Sequence, residues 1–388
     1  MLPLSQLNAA EQTRPSNAPQ FKALSERAAK ASSENRLDEA IALYTKALAM
    51  RPKWVEGWWS LGTLEYDQDH YAKAARDFEK LIALDEKNGT AHAMLGLCQF
   101  ELGKDDSALK NLLAAERLGV LKDDQLRNVA LYHLGVLQLR AGKYGAAKET
   151  LGQLVRDRVR TKEITTELGL AALLMRPKEL PMEGTPGASV VERAGEAEVL
   201  LAANEFDPAK QKYAQLTSEF PDYPNLHFAF GRLLLETHET DEAVQEFQRE
   251  LKRDPKNVNS MLEIAAALQL VDSQGGLNYA EEAVKLAPGL PLAHYLLGML
   301  RLETGDAAAA IPELETAQKA FPEEAGVSFS LGKAYARVGR KADAAKARAE
   351  FTRLNAKAAK PAGPSVYGER PPGPLNGQAT LDNEKPRQ

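Results

Sequence analysis

The chain holds a single cysteine, Cys98, in 388 residues. That excludes an intramolecular disulfide framework and any cysteine-rich zinc site. The net charge is only −5, which argues against general nucleic-acid affinity. No apolar run reaches the roughly 18–20 residues of a membrane-crossing helix, so no span is expected. The first residues, Met1-Leu2-Pro3-Leu4-Ser5-Gln6, carry neither a basic leader nor a long apolar stretch, so no signal peptide is visible. The default expectation is therefore a cytoplasmic protein, with a periplasmic or secreted one the alternative if a leader was removed. Apolar residues make up 44% and charged residues 27%, an ordinary globular composition that excludes wholesale disorder. The length suggests two or three domains.

Motifs for chemistry are also missing. There is no phosphate loop: Gly103-Lys104 and Gly142-Lys143 are followed by Asp105 and Tyr144. No nucleophile elbow of the form Gly-x-Ser-x-Gly occurs. Asp67-x-Asp69 is not continued into a calcium loop. No two histidines share the i, i+4 spacing of a zinc helix. His92, His227 and His294 recur at one place of a repeat that also takes Trp58, so they read as packing residues. His70 and His238 fall at turns, and His133 falls on a helix. Cys98 reads as a buried, inert thiol. No catalytic constellation emerges, and neither a cofactor nor a metal is expected. Asn88-Gly89-Thr90 fits a glycosylation sequon, relevant only on a eukaryotic secretory route.

What the chain does have is a period. Pro221, Pro255, Pro288 and Pro322 are spaced by 34, 33 and 34 residues. Leu61-Gly62 and Leu95-Gly96 are 34 apart, as are Leu134-Gly135 and Leu168-Gly169, and Leu297-Gly298 and Leu331-Gly332. With a repeat starting at Phe21, the eighth position is always small: Ala28, Gly62, Gly96, Gly135, Ala197, Gly231, Ala265, Gly298 and Gly332. The twentieth is Ala in every repeat but one, residues 258–290, which has lost a residue between its helices. The twenty-fourth is usually large, as in Tyr44, Phe78, Leu112, Leu151, Tyr213, Phe247 and Leu314. Apolar residues fall at helical spacing on both sides of a stop at the fifteenth position (Asn35, Gly103, Gly142, Asn204, Gly305, Gly339). Each repeat is thus two helices that approach closely at small residues. One such hairpin leaves half its apolar surface bare and needs neighbours on both sides.

Trp58-x-x-Leu61-Gly62 followed by Ala74-x-x-x-Phe78, with Leu331-Gly332-x-x-Tyr335 matching the central part, resembles the tetratricopeptide repeat. The resemblance covers residues 21 to about 357. It implies an all-α fold, a right-handed solenoid of about nine helix hairpins. The expected organisation is a disordered tail over 1–20, a first array of four repeats over 21–157, a half-repeat and Pro/Gly-rich joint over 158–189, a second array of five repeats over 190–357, and a disordered tail over 358–388. A locally deformed but continuous solenoid fits the irregular stretch equally well. Five further residues enter around Gly119–Asp124. Pro361-x-x-Pro364 has the form of a polyproline recognition motif.

In that family the first helices line a concave groove, at their second, fifth, ninth and twelfth positions. Carried across, these are Glu56, Trp59, Thr63, Tyr66, Phe100, Tyr132 and Val136 in the first array. In the second they are Asn225, Phe228, Arg232, Asn259, Leu262, Tyr295, Met299, Phe329 and Lys333. Aromatic and Arg side chains supply most binding energy at interfaces. The candidate groove is accordingly Trp59, Tyr66, Phe100, Tyr132, Phe228, Arg232, Tyr295, Phe329 and Lys333, although any single ring there can instead fill space between neighbouring first helices. Ser25 and Ala29 stand where some members of the family carry the Lys and Asn that grip a chaperone's C-terminal carboxylate, so that adaptor role is not expected. The last repeat is basic (Lys333, Arg337, Arg340, Lys341, Lys346, Arg348, Arg353, Lys357, Lys360, against Asp343 and Glu350). It fits a solvated cap or a landing site for an acidic partner or anionic membrane surface. The resulting expectation is a non-enzymatic scaffold that binds an extended or helical segment of a protein partner. A cell-envelope or secreted assembly factor of the same fold is the alternative, and an enzyme with an unrecognised site is the third possibility.

Overall fold

A computed structural model describes residues 18–119 and 124–358 of the chain. Among the described residues the regular structure is nineteen α-helices and one 3-10 turn, with no strand. Most of both expected tails lies outside the described residues, as do residues 120–123, Lys360 and the Pro361-x-x-Pro364 motif. The chain divides into two compact units, Met1–Leu137 and Gln138–Gln388.

The first unit runs through α1 (Ala18–Ser33), α2 (Leu37–Met50), α3 (Val55–Asp67), α4 (Tyr71–Leu84), α5 (Gly89–Glu101) and α6 (Asp105–Leu118) into α7 (Asp124–Arg140). The division falls inside α7. The second holds α8 (Tyr144–Arg156), α9 (Lys162–Ala172), α10 (Pro186–Ala202), α11 (Phe206–Glu219), α12 (Leu226–Glu236), α13 (Thr240–Arg253) and α14 (Val258–Leu268). It continues with α15 (Ser273–Leu286), α16 (Pro291–Glu303), α17 (Ala307–Ala320), α18 (Ala325–Arg337) and α19 (Lys341–Ala358). From α8 to α19 each helix packs on the next.

The small eighth residue and the large twenty-fourth meet face to face. A methyl group on Gly231 would lie 2.6 Å from Phe247, and one on Gly62 would lie 3.0 Å from Phe78. Gly96 and Gly298 stand under Leu112 and Leu314, each 2.7 Å from where a Cβ would be. Phe78, Phe247 and Leu314 are fully buried. The second helix therefore lays a large, buried side chain on bare backbone of the first, which sets how closely the hairpin closes.

The helix stop is just as regular. Asn35, Asp69, Gly103, Gly142, Asn204, His238, Gly305 and Gly339 all have positive φ, between 56° and 98°. Asp69 and His238 fill the same turn position as the glycines without glycine's freedom. The shortened repeat turns differently: Asp272 caps α15, its Oδ1 accepting from the Gly275 N–H at 2.9 Å.

The irregular stretch keeps the stacking but changes its chemistry. After α9 comes a loop with a 3-10 turn at Pro177–Glu179, then α10. α9 and α10 meet backbone to backbone at two glycines: a Cβ on Gly169 would sit 2.0 Å from the Val191 carbonyl oxygen, and one on Gly195 would sit 1.9 Å from that of Thr165. α8 packs against both α9 and α10. α10 thus closes on α9 in place of a missing second helix and also forms the first helix of the hairpin it makes with α11.

Two substitutions test this packing. Gly231→Ala should lower stability by about 1–3 kcal/mol, as an overpacked core position does, although Ala is by itself the better helix former by about 1 kcal/mol. His238→Gly should raise it by about 0.5–1 kcal/mol, because the left-handed conformation costs an L-residue more than glycine's extra chain entropy. Thermal and urea unfolding measure both; a Gly231→Ala protein as stable as the parent contradicts the packing described.

Candidate functional site

The candidate groove residues lie on first helices, and the structure sorts them by what covers them. In the first unit four rings from three successive first helices are half-buried. Trp59 on α3 meets Phe78 edge-on, with centroids 5.7 Å apart. Tyr66, two turns on, meets Tyr71 edge-on at 5.3 Å; burial, with the Glu101 carboxylate adding, pushes its hydroxyl up to about 12. Phe100 on α5 and Tyr132 on α7 both stand edge-on to His133, at 4.5 and 5.4 Å. His133 was no candidate from the sequence, yet it joins the two rings. Its Nδ1 is held 2.8 Å from the Val129 carbonyl oxygen.

In the second unit the aromatic candidates divide. Phe228 and Tyr295 are only 5% and 6% exposed, so neither offers a ring face to a partner. Phe228 packs with Phe247 of its own hairpin and Ile264 of α14; Tyr295 packs with Val327 and Leu331 of α18. Both fill the space between neighbouring first helices, because the fifth position of a first helix abuts the next repeat before it reaches solvent. Phe329, near the end of the stack, is 48% exposed. Its ring lies 5.2 Å from that of Phe351, with the Lys333 ammonium 5.8 Å from its centroid.

The charged candidates are tied between helices. Arg232 on α12 pairs with Glu263 on α14 at 2.6 Å. Lys333 on α18 pairs with Glu303 on α16 at 2.9 Å. The same pattern holds Lys148 of α8, whose Nζ lies 3.0 Å from both Glu198 of α10 and Glu236 of α12. Glu198 also accepts from the Tyr213 hydroxyl at 2.7 Å. Glu198 was legible, since it follows the small Ala197 at a groove position; Lys148 was not, because it belongs to a second helix. In the last repeat Lys357 pairs with Glu323, Arg353 with Glu350 and Arg340 with Asp343, while Lys341, Lys346 and Arg348 pair with no carboxylate among the described residues.

Three of the histidines are clamps. His92 Nδ1 is 2.9 Å from Asn111 Oδ1, His227 Nδ1 is 2.6 Å from Glu246 Oε2, and His294 Nδ1 is 2.5 Å from Glu313 Oε2. Each joins the fourth position of a repeat to the twenty-third. In the repeat that begins with α3, Trp58 replaces the histidine and donates to the Pro52 carbonyl at 2.8 Å. Asp77 then stands opposite without a ring nitrogen. Burial, with Glu65 adding to it, pushes its carboxyl up to about 7, against a weaker opposing pull from Arg76 and Lys73. Cys98 is fully buried, and burial pushes its thiol up to about 12. Among the described residues no group of three or more His, Cys, Asp or Glu could hold a metal ion, and no helix is long and apolar enough to cross a membrane. Asn88 of the sequon caps α5, its Oδ1 accepting from the Ala91 N–H at 2.9 Å.

Models of the tetratricopeptide repeat match residues 60–119, 129–158, 200–268, 262–314 and 295–359, well over half of the chain. Superkiller protein 3 of Schizosaccharomyces pombe is 24% identical over 299 residues, which is 74% of this chain and 20% of that protein. The general transcriptional corepressor trfA of Dictyostelium discoideum is 29% identical over 112 residues, 29% of this chain and 8% of that protein. The chain thus spans about a fifth or less of the length of these curated relatives. Among solved structures, MamA of Desulfovibrio magneticus RS-1 overlaps 44% of this chain and 96% of its own, at 21% identity and a TM-score of 0.39. Yeast Tom70 overlaps 89% of this chain and 85% of its own, at 12% identity and a TM-score of 0.35. Likeness at that level carries no information about partners.

The unpartnered Asp77 makes a pH prediction. Its folded form holds a proton that the unfolded chain releases near pH 4, so its contribution to stability falls as pH rises from about 4 to about 7 and is flat above. Asp77→Asn should therefore raise the melting midpoint at about pH 8 and leave it unchanged at about pH 4. An equal shift at both pH values contradicts the assignment.

Proposed function

Since this chain belongs to the tetratricopeptide repeat family, we propose that it is a non-enzymatic scaffold that takes an extended or helical segment of a protein partner along the first helices of its first unit. The observation that carries this reading is the run of half-buried rings Trp59, Tyr66, Phe100 and Tyr132 on α3, α5 and α7. Each ring is anchored at its edge by a neighbour, so it loses little rotamer freedom on binding while keeping part of its surface for a ligand. In the second unit the charged groove candidates are already paired, Arg232 with Glu263 and Lys333 with Glu303. Arg232 and Lys333 are thus tied to neighbouring first helices, which leaves apolar and aromatic contact to select the segment. In the second unit the reading keeps Phe329 with Lys333 as a smaller contact point. The buried Phe228 and Tyr295 act there as spacers between first helices.

Affinity capture with the intact protein and with a Trp59→Ala/Phe100→Ala double variant tests this. Truncating two interface anchors should cost on the order of 4 kcal/mol, about a thousandfold in affinity. Because both rings also touch the core, the melting midpoint is measured alongside, and Tyr132→Ser serves as a second, milder variant. Partners retained by both well-folded variants would remove the first unit's ring face from the proposal.

A further inference from the structure

Three of the four ring nitrogens at the fourth position close the loop that precedes their helix. Trp58 Nε1 donates to the Pro52 carbonyl, His92 Nε2 lies 3.4 Å from that of Glu86, and His294 Nε2 lies 2.8 Å from that of Pro288. His227 breaks the pattern. Its Nε2 makes no hydrogen bond, although the residue is only 7% exposed. The cause is the loop. The connections before α3, α5 and α16 are residues 51–54, 85–88 and 287–290, but before α12 it is 220–225. Pro224 pushes the residue before it out of helical conformation. Asn225 follows with a φ of 60°. It is tied down elsewhere: its N–H donates to Glu250 Oε1 and its Nδ2 to the Leu173 carbonyl, both at 3.0 Å. The Pro221 carbonyl is thereby kept from the ring.

A cavity of about 560 Å³ lies at this place, lined by Thr217, Ser218, Asp222, His227, Arg249, Lys252 and Arg253. Three cations of α13 line it with the carboxylate of Asp222. Arg249 is paired with Glu246, Arg253 with Glu250 and, at 4.0 Å, with Asp254, and Lys252 is the one with no carboxylate partner among the described residues. Glu246 and Glu250 are buried, 4% and 0% exposed. They hold the guanidinium groups of Arg249 and Arg253 in place, the latter through two bonds to Glu250 Oε1 at 2.6 and 2.9 Å. Glu246 also takes His227 Nδ1, so Nε2 is the ring nitrogen left over. Fixed guanidinium forks, an ammonium on a flexible stem and a buried imidazole suit a compact, highly charged oxyanion better than a neutral ligand.

We propose that this cavity is a binding site for a phosphate monoester group. The site is independent of the aromatic groove: it involves α11, the 220–225 loop, α12 and α13, and no groove ring. The phosphoryl oxygens would take Arg249, Lys252 and His227 Nε2, and Ser218 could serve the ester side.

The full-length protein is titrated with inorganic phosphate, free phosphoserine and a short phosphoserine peptide, followed by calorimetry and by the histidine side-chain nitrogen resonances. His227 should shift on titration, while His92 and His294, whose Nε2 atoms are already engaged, should not. Lys252→Glu, which removes no bond from a buried carboxylate, should weaken binding at least tenfold without moving the melting midpoint; His227→Gln should weaken it severalfold. A preference of tenfold or more for the phosphoserine peptide over inorganic phosphate identifies a phosphorylated protein segment as the source; equal affinities identify free phosphate. Absence of saturable binding by all three probes, a His227 resonance that does not move, or undiminished affinity in Lys252→Glu each overturns the proposal.

Discussion

The structure depends on a glycine-sized gap under a large side chain. In each of the hairpins α3–α4, α5–α6, α12–α13 and α16–α17, the second helix rests a large apolar residue on bare backbone of the first. The exchange is favourable by magnitude. A mid-helix glycine costs about 1 kcal/mol relative to alanine, while complete burial of a Phe or Leu side chain contributes about 1.5–3 kcal/mol. Closure at that distance leaves the flanking apolar faces of both helices uncovered. Only the next hairpin can cover them, so stacking follows from the same contact.

A polar layer is superimposed on this apolar one. His92, His227 and His294 each bridge the two helices of a hairpin, and Lys148, Arg232 and Lys333 bridge from one hairpin to another. Buried or half-buried pairs of this kind add little net stability, since desolvation offsets much of the Coulomb attraction. They do penalise any other alignment, in which a buried carboxylate such as Glu198 or Glu250 would lose its partner. Satisfied charges along the first helices also leave recognition to the rings. The cavity beside His227 is the exception, where a displaced loop leaves a ring nitrogen without a partner among fixed cations.

At α9 and α10 the side-chain contact gives way to a backbone one. Gly169 and Gly195 let the two helices approach until a carbonyl of each fills the space a Cβ would need. That approach lets α10 serve two neighbours, α9 and α11, across a stretch where a second helix is missing. Asn225 then reaches back to the Leu173 carbonyl, so the loop after α9 and the loop before α12 are joined. The departure at α9 and the opened cavity at His227 are thus connected by one side chain.

The sequence by itself determined the period, the helix pairs, the turn positions and the small-against-large contact, because each follows from local chemistry repeated many times. Asp69 and His238 occupy left-handed turn positions that the period predicts even without a glycine there. The groove was legible only in part. A fifth-position ring looks the same in sequence whether the next first helix covers it, as with Phe228 and Tyr295, or leaves it half open, as with Trp59. His133 between Phe100 and Tyr132, the reach of Lys148 to two other helices, and the unpaired nitrogen of His227 were decided only by tertiary structure. They depend on how far each helix is offset from its neighbour, a distance set by packing between repeats and not encoded in any one of them.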